Sequence, residues 1–387
     1  MDTLIKESCV KIYYFLRNNF DPYKFKYTYE ISKTVVSLQK EKVEESDFSN
    51  YETPQMFESE RFQQCFEFYF DKTPFTFISI NEGNEPSDTG NNHNNKTCAV
   101  NDFTIDEFGD YIFYNNEIIK YNSNLSLNEP FALITDLDGT LLGDHKALLN
   151  FNKFWLSNFK LNSNAKLIYN SGRNIREVLR FNQEINLLLP DVSINNVGSA
   201  IFMNDRFTNS MKMDEVWSNI LDKNWDNSRI MNYLSNFKDI TFNVEENNKF
   251  LIYSITTPKV LENFVNEHLD KMIKDFKTEN IEFKFIIGRD QHNFFPTFCP
   301  LKGGKNNANQ YILQELNFNI DNMLCCGDSA NDIDMLEGCR WGIIVSNSFP
   351  ELLTWFNENN HNNQHIKISK YNNANAIIEE IKEKFKL

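Results

Sequence analysis

The spacing of apolar and polar residues changes character twice along the chain. In residues 2–19, Ile5, Cys9, Ile12, Tyr13 and Leu16 recur on one side of a helix, which predicts a leading helix. From Pro22 the period shortens. PYKFKYTYEI (Pro22–Ile31) alternates aromatic and polar residues, and CFEFYF (Cys65–Phe70) and FTFISI (Phe75–Ile80) are aromatic and β-branched. YIFYNNEIIKY (Tyr111–Tyr121) sets Asn-Asn between two strand-like runs. Hairpin-like β structure follows from this pattern. Asn81–Thr97, rich in Gly, Pro, Ser and Asn and poor in apolar residues, reads as a surface loop. Residues 1–130 are thus expected to be a β-rich accessory module with a leading helix, ending near Pro130.

The second change comes at Phe131. FALIT (Phe131–Thr135), AKLIYN (Ala165–Asn170), VSINNV (Val192–Val197), MLCCG (Met323–Gly327) and WGIIVS (Trp341–Ser346) are apolar almost throughout, and amphipathic stretches separate them. Strands of that kind belong to βαβ units and a parallel sheet buried on both faces. The fold class is therefore α/β, with a Rossmann-like core over residues 131–194 and 296–387. The intervening residues 195–295 carry their own periodicities. A helix is predicted over Pro258–Phe276, whose Leu261, Phe264, Val265, His268, Leu269, Met272 and Phe276 share a face, and ITFNV (Ile240–Val244), FLIYSI (Phe250–Ile255) and FKFII (Phe283–Ile287) read as strands. So long a segment cannot be a loop, and an α+β subdomain placed over the site is expected. Sites in open parallel sheets lie at the carboxyl ends of the strands, where Asp136, Asp138, Ser171 and Asp328 fall.

Composition narrows the range of functions. With 387 residues, 41% of them hydrophobic, the chain can fill more than one core. A net charge of −15 argues against attraction to nucleic acid or to an anionic membrane surface. Seven cysteines, odd in number and without CxxC or zinc spacing, read as reduced thiols of a cytoplasmic protein. No signal-peptide pattern opens the chain, and no run approaches a membrane span. The sequons at Asn95 and Asn124 match chance occurrence in a chain this rich in asparagine.

The candidate chemistry is concentrated in four pieces. Asp136-Leu137-Asp138-Gly139-Thr140 follows one strand, and Ser171-Gly172-Arg173 follows a second. A lysine, Lys302 or Lys305, precedes a helix, and Gly327-Asp328-Ser329-Ala330-Asn331-Asp332 follows a third strand. Each piece alone is weak; in this order, at strand ends, they form a set. That set resembles the haloacid dehalogenase superfamily of phosphohydrolases, whose fold is a Rossmann-like core with an inserted cap, here of the C2B type. The resemblance implies Mg²⁺-dependent phosphoryl transfer to an aspartate. Carboxylate attack on phosphorus splits one difficult hydrolysis into two steps, with Asp136 as nucleophile. Asp138 would protonate the leaving oxygen and then take a proton from water. Mg²⁺ suits Asp136, the backbone carbonyl of Asp138, and Asp328 with Asp332 or Asn331 behind it. Ser171 and the amide of Gly172 would bind a phosphate oxygen, Arg173 would contact substrate, and a lysine would neutralise the phosphoryl charge. Lys305 is preferred over Lys302, because Ala308, Ile312 and Leu316 then share one face of the following helix.

Outside the motifs, VGSAIFMND (Val197–Asp205), DEVWSNILDKNW (Asp214–Trp225), IIGRDQHNFFP (Ile286–Pro296), WGIIVSNSFPELLTWF (Trp341–Phe356) and NNANAIIEEI (Asn372–Ile381) resemble segments of the sucrose-phosphate phosphatase family over residues 131–387. A phosphorylated sugar as small-molecule substrate follows from that resemblance. Lys249 matches a cap lysine that contacts sugar in relatives, and Arg289, Asp290, His292 and Asn293 are further candidates for the pocket. Trp217 and Trp225 read as core rather than sugar platforms. The family's Gly-Thr-Glu-Ile is Gly198-Ser199-Ala200-Ile201 here, so one sugar-binding acid is absent. Two other readings remain: a phosphatase for another small phosphomonoester, and a non-catalytic glycan-binding protein on the same fold. Retention of Asp136, Asp138 and Asp328 argues against the latter.

Overall fold

The computed structural model describes residues 10–15, 27–30, 55–58, 65–70, 75–82, 98–105, 107–114, 117–205, 210–359 and 364–387. The chain forms two compact units: Met1–Ser126 with Leu156–Leu161 and Arg206–Asn209, and the remainder.

The first unit holds two sheets. Strands β1 (Val10–Phe15), β2 (Tyr27–Glu30), β3 (Gln55–Glu58), β4 (Cys65–Phe70), β5 (Phe75–Glu82), β6 (Cys98–Ile105), β7 (Gly109–Tyr114) and β8 (Glu117–Lys120) arrange as β3-β4-β1-β7-β8 and β2-β5-β6. Val10–Phe15, assigned from its spacing to a leading helix, is instead a strand, antiparallel to β4 and parallel to β7. The reason lies in VKIYYF itself. Its β-branched and aromatic residues also satisfy a period of two, and partners on both sides complete the ladder that an isolated helix would lack. The rest of residues 2–19, and residues 83–97 of the expected loop, lie outside the described residues; Asn81 and Glu82 belong to β5. The hairpin expected around Asn115-Asn116 is present as antiparallel β7 and β8.

The second unit is built on an eight-stranded sheet. Strands β9 (Phe131–Thr135), β10 (Ala165–Asn170), β11 (Val192–Asn195), β12 (Ala200–Asp205), β13 (Ser210–Met213), β18 (Met323–Gly327), β19 (Trp341–Ile344) and β20 (Ile366–Ile368) run in the order β13-β12-β11-β10-β9-β18-β19-β20. Every pairing from β11 to β20 is parallel, and β12 and β13 are antiparallel. Residues of β9, β10, β11, β18 and β19 are buried throughout, as a sheet covered on both faces requires. Helices α1 (His145–Asn158), α2 (Ile175–Glu184), α7 (Lys305–Leu316), α8 (Ile333–Glu337), α9 (Pro350–Asn359) and α10 (Asn373–Phe385) alternate with these strands. Because β9 lies between β10 and β18, the three loops that leave their carboxyl ends are neighbours.

Between β13 and α7 a second sheet forms, of β14 (Asn243–Glu245), β15 (Asn248–Tyr253), β16 (Phe283–Arg289) and β17 (Phe294–Pro300), in the antiparallel order β14-β15-β17-β16. Four helices accompany it: α3 (Glu215–Leu221), α4 (Asn227–Leu234), α5 (Pro258–Phe264) and α6 (Asp270–Thr278). A π turn at Val265–Leu269 joins α5 to α6, making the long helix that the apolar face predicted. Phe242, Phe264, Phe276 and Phe298 pack between helices and sheet. Both tryptophans are structural: Trp217 Nε1 donates to the Gly198 carbonyl and Trp225 Nε1 to that of Lys249. Among the described residues no helix is long and apolar enough to cross a membrane.

Candidate active site

Three buried carboxylates meet at the ends of β9 and β18. Ligand oxygens of Asp136, Asp328 and Asp332 lie within 4.8 Å of one another. Lys305 stands against them with its side chain fully buried, Nζ 2.8 Å from Asp136 Oδ1 and 2.6 Å from Asp332 Oδ1. Lys302, the other lysine of the motif, is exposed. Burial alone would lower the ammonium's pKa, but the facing Asp136 and Asp332 carboxylates outweigh it and hold Lys305 charged. One cation does not balance three acids. Burial pushes Asp136 up to about 7 despite Lys305, and burial together with the charges of Asp136 and Asp332 pushes Asp328 up to about 9.

Local backbone places these groups. Asp136 leaves β9 extended, and its N–H donates to Cys326 O at 3.0 Å, which ties the β9 and β18 ends together. Gly139 then turns at φ +77, and a Cβ there would lie 2.1 Å from Asp328 Oδ2, so no other residue fits. Thr140 Oγ1 donates to Asp328 Oδ1 at 3.3 Å. The turn is held from afar by Asn347 and Asn373, whose Nδ2 groups donate to Gly139 O at 2.7 and 2.8 Å. Asp332 Oδ2 accepts from the amides of Asp328 and Ser329 at 3.0 and 3.1 Å. Both Asp332 oxygens are therefore engaged, and it braces Lys305 and the loop. Asn170 fixes the start of α7, with Nδ2 donating to Lys305 O at 2.9 Å and to Asn309 Oδ1 at 2.7 Å.

The second strand end contributes Ser171, which is buried, while Gly172 is exposed. Its Oγ accepts from the Arg173 amide at 3.2 Å. Arg173 grips Asp138 in a bidentate pair, Nε to Oδ2 at 2.7 Å and Nη2 to Oδ1 at 3.0 Å. Nearby, Val197 takes a left-handed φ of 56°, a strained choice for a β-branched residue. Gly198 follows, and a Cβ there would lie 2.2 Å from Gly304 O. That tight crossing sets the turn between β11 and β12 against the residue before Lys305.

A pocket of about 280 Å³ lies beside this turn, lined by Asn174, Ser199 and Ala200 of the core and by Glu245, Asn248 and Lys249 of the insert. Lys249 reaches it, but its Nζ pairs with Asp222 at 2.5 Å and is half exposed. Arg289 and Asp290 are placed elsewhere, at the β16–β17 turn. Arg289 sits between the rings of Phe294 and Phe349, at 4.9 and 4.8 Å, and pairs with Glu351 of α9. Asp290 Oδ1 accepts from the amides of His292 and Asn293 at 2.7 and 2.6 Å, which shapes the turn. Asn331 faces Gly288 on the same hairpin.

The carboxylate cluster fits a divalent cation. Three buried acids face one lysine, and two of them are driven toward protonation for want of positive charge. Asp136 and Asp328 retain oxygens that no hydrogen bond fully occupies, whereas Asp332 does not. The sequence did not single out Thr140, Asn170, Asn347 or Asn373 as site residues, although Thr140 stood in the DxDGT run and Asn347 and Asn373 in the last two segments that carry the family resemblance.

Fold and site together define a member of the haloacid dehalogenase superfamily. Residues 129–384 match the sucrose-6F-phosphate phosphohydrolase family, and the chain belongs to it. It is 31% identical over 258 residues to the probable sucrose-phosphatase 1 of Arabidopsis thaliana, a match covering 64% of this chain and 58% of that protein. The chain thus spans little more than half the length of the plant relatives it matches. The mannosylfructose-phosphate phosphatase of Agrobacterium fabrum is 24% identical, with 60% of this chain and 90% of that one covered. Among solved structures, the sucrose-phosphatase of Synechocystis, in complex with sucrose and phosphate, superposes with a TM-score of 0.56 at 26% identity. That match covers 67% of this chain and 98% of the other.

Proposed function

We propose that the chain is a Mg²⁺-dependent phosphatase of a phosphorylated sugar, sucrose 6-phosphate or a related disaccharide phosphate, acting through an aspartyl-phosphate on Asp136. The observation that carries this reading is the buried Lys305 bridging Asp136 and Asp332, with Asp328 alongside, at adjacent strand ends. Asp136 attacks phosphorus through one carboxylate oxygen as the bond from phosphorus to the sugar oxygen breaks. The Asp138 carboxyl gives its proton to that oxygen, and the sugar leaves. Water then attacks the aspartyl-phosphate, Asp138 takes its proton back, and phosphate and free Asp136 result. Lys305 holds Asp136 oriented and offsets the phosphoryl charge, while Ser171 Oγ and the Gly172 amide donate to a phosphate oxygen. Asp136, Asp328 and the Asp138 carbonyl would hold Mg²⁺, which when bound would supply the Lewis acidity that lets two anions meet. The insert between β13 and α7 acts as the cap, and the pocket with Lys249 takes the sugar.

Ala200, which lines that pocket where the family carries an acid, favours a second reading in which another phosphomonoester fits better. Phosphate release from sucrose 6-phosphate, mannosylfructose phosphate, glucose 6-phosphate and a nucleoside monophosphate distinguishes the two. The expected result is the highest kcat/KM on a disaccharide phosphate and none in EDTA. Preference for the nucleotide would overturn the sugar, and full turnover in EDTA would overturn the metal.

A further inference from the structure

Arg173 follows the second-strand motif and would ordinarily be read as a phosphate or sugar ligand. Its guanidinium has little left to offer one. Nε and Nη2 both donate to Asp138, and Nη1 donates to Glu177 Oε1 at 2.5 Å. Pairing with Asp138, and less so with Glu177, keeps Arg173 charged despite its partial burial. Phe181, one turn further along α2, lies 5.5 Å under the guanidinium. A bidentate pair fixes the plane of both partners, not merely their distance.

Behind Arg173 stands the capped start of α2. Glu177 Oε2 accepts from the Asn174 amide at 3.2 Å while Asn174 Oδ1 accepts from the Glu177 amide at 3.0 Å, a reciprocal cap at the start of α2. The same Asn174 then reaches out of the core. Its Nδ2 donates to Glu245 Oε1 at 3.2 Å, and Glu245 ends strand β14 of the insert and lines the pocket. A continuous set of hydrogen bonds thus runs Asp138–Arg173–Glu177–Asn174–Glu245, from the proton-handling carboxyl to the insert.

We propose that Arg173 is a positioning residue: it sets the Asp138 carboxyl for proton transfer, and the Asn174–Glu245 bond ties that setting to the seating of the insert. The inference rests on the phosphatase reading above. Asp138 matters most where the leaving oxygen is a poor one, as in a sugar alkoxide, and least where it departs readily as an anion. Loss of positioning should therefore deepen as the leaving group worsens. Loss of a substrate contact or of fold would depress all substrates alike.

The test compares p-nitrophenyl phosphate with phenyl phosphate at saturating Mg²⁺. In Arg173→Gln we expect kcat/KM, which reports phosphoryl transfer to Asp136 and not the hydrolysis step both substrates share, to fall about 3-fold on the first and about 30-fold or more on the second. The rise in melting temperature on adding Mg²⁺ should persist. Equal losses on both substrates, or none, overturn the assignment. Should Arg173→Gln not melt cooperatively, Arg173→Lys carries the test, with a shallower dependence on leaving group expected and a uniform loss overturning it. Glu245→Ala should show a weaker loss of the same kind, and the double variant should be no slower than Arg173→Gln alone. Fully additive losses overturn the link to the insert. A wild-type chain that hydrolyses no phosphomonoester defeats the phosphatase reading, and this inference with it. One that turns over both aryl phosphates with no change of leaving-group dependence in Arg173→Gln defeats this inference alone.

Discussion

Two lysines of this chain face carboxylates in opposite circumstances. Lys305 is fully buried against two acids, while Lys249 pairs with Asp222 with both side chains about half exposed. The first pair cannot be dismantled cheaply, since removing one partner leaves a charge stranded in a medium that solvates it poorly. The second is screened by water, and either partner can turn toward a ligand at little cost. Core and insert differ in the same way. The core positions its acids through backbone amides and long-range asparagines, whereas the insert presents side chains whose present partners are exchangeable. Chemistry common to any phosphomonoester belongs in the first setting and choice of leaving group in the second.

The most damaging break is chemical. Asp136→Asn should lower phosphatase activity by about 10⁴-fold or more, because an amide is a far poorer nucleophile, while the fold persists. Phosphate-release assays with circular dichroism check both, and retained turnover would move the nucleophile elsewhere. Lys305→Met comes next. It should cost about 3–5 kcal/mol of stability in chemical denaturation, because the acids it faced lose their buried partner, and should abolish turnover of sugar and aryl phosphates alike.

Gly139→Ala should be milder in stability, about 1–3 kcal/mol from the left-handed backbone. It should nonetheless weaken Mg²⁺ binding, read by thermal shift, since its Cβ would displace Asp328 Oδ2. In metal-free buffer the raised carboxyls of Asp136 and Asp328 add a pH signature. A raised folded-state pKa contributes stability that is complete at low pH and lost as pH climbs through it. Melting temperature should then decline between about pH 5 and 9, and Mg²⁺ should flatten that decline. The smallest effect is expected at Lys249→Ala. Stability should change by about 0.2–1 kcal/mol, and kcat/KM for a disaccharide phosphate should fall about 10-fold, with a smaller loss on an aryl phosphate. An Lys249→Ala variant as unstable as Lys305→Met would erase the contrast between the two regions.

The strand ends that carry the candidate site were legible in the sequence because burial on both faces forces continuous apolar runs, and each of these three runs stops at an acid or a serine. FALIT before Asp136, AKLIYN before Ser171 and MLCCG before Asp328 all became parallel strands. Other strands were hidden by their composition. FFPTFCP contains two prolines yet forms β17, tolerated in a small antiparallel sheet where β15 pairs with only part of it. Val10–Phe15 fitted two periods at once, and its neighbours β4 and β7 chose the strand.

Residue types and their order along the chain were enough to name the acids, the serine and a lysine near Asp136, since strand ends and helix starts are local features. Which lysine, and what each acid touches, were decided only by tertiary structure. Lys305 meets Asp136 across 169 residues, and Asn373 holds the Gly139 turn across 234. Arg173, a substrate contact by resemblance, donates to Asp138, 35 residues away. Periodicity reports which face of an element is buried. It carries no information about which distant polar group will satisfy a buried charge, because that depends on how loops from separate strands converge and on the cost of leaving any one of them unpaired.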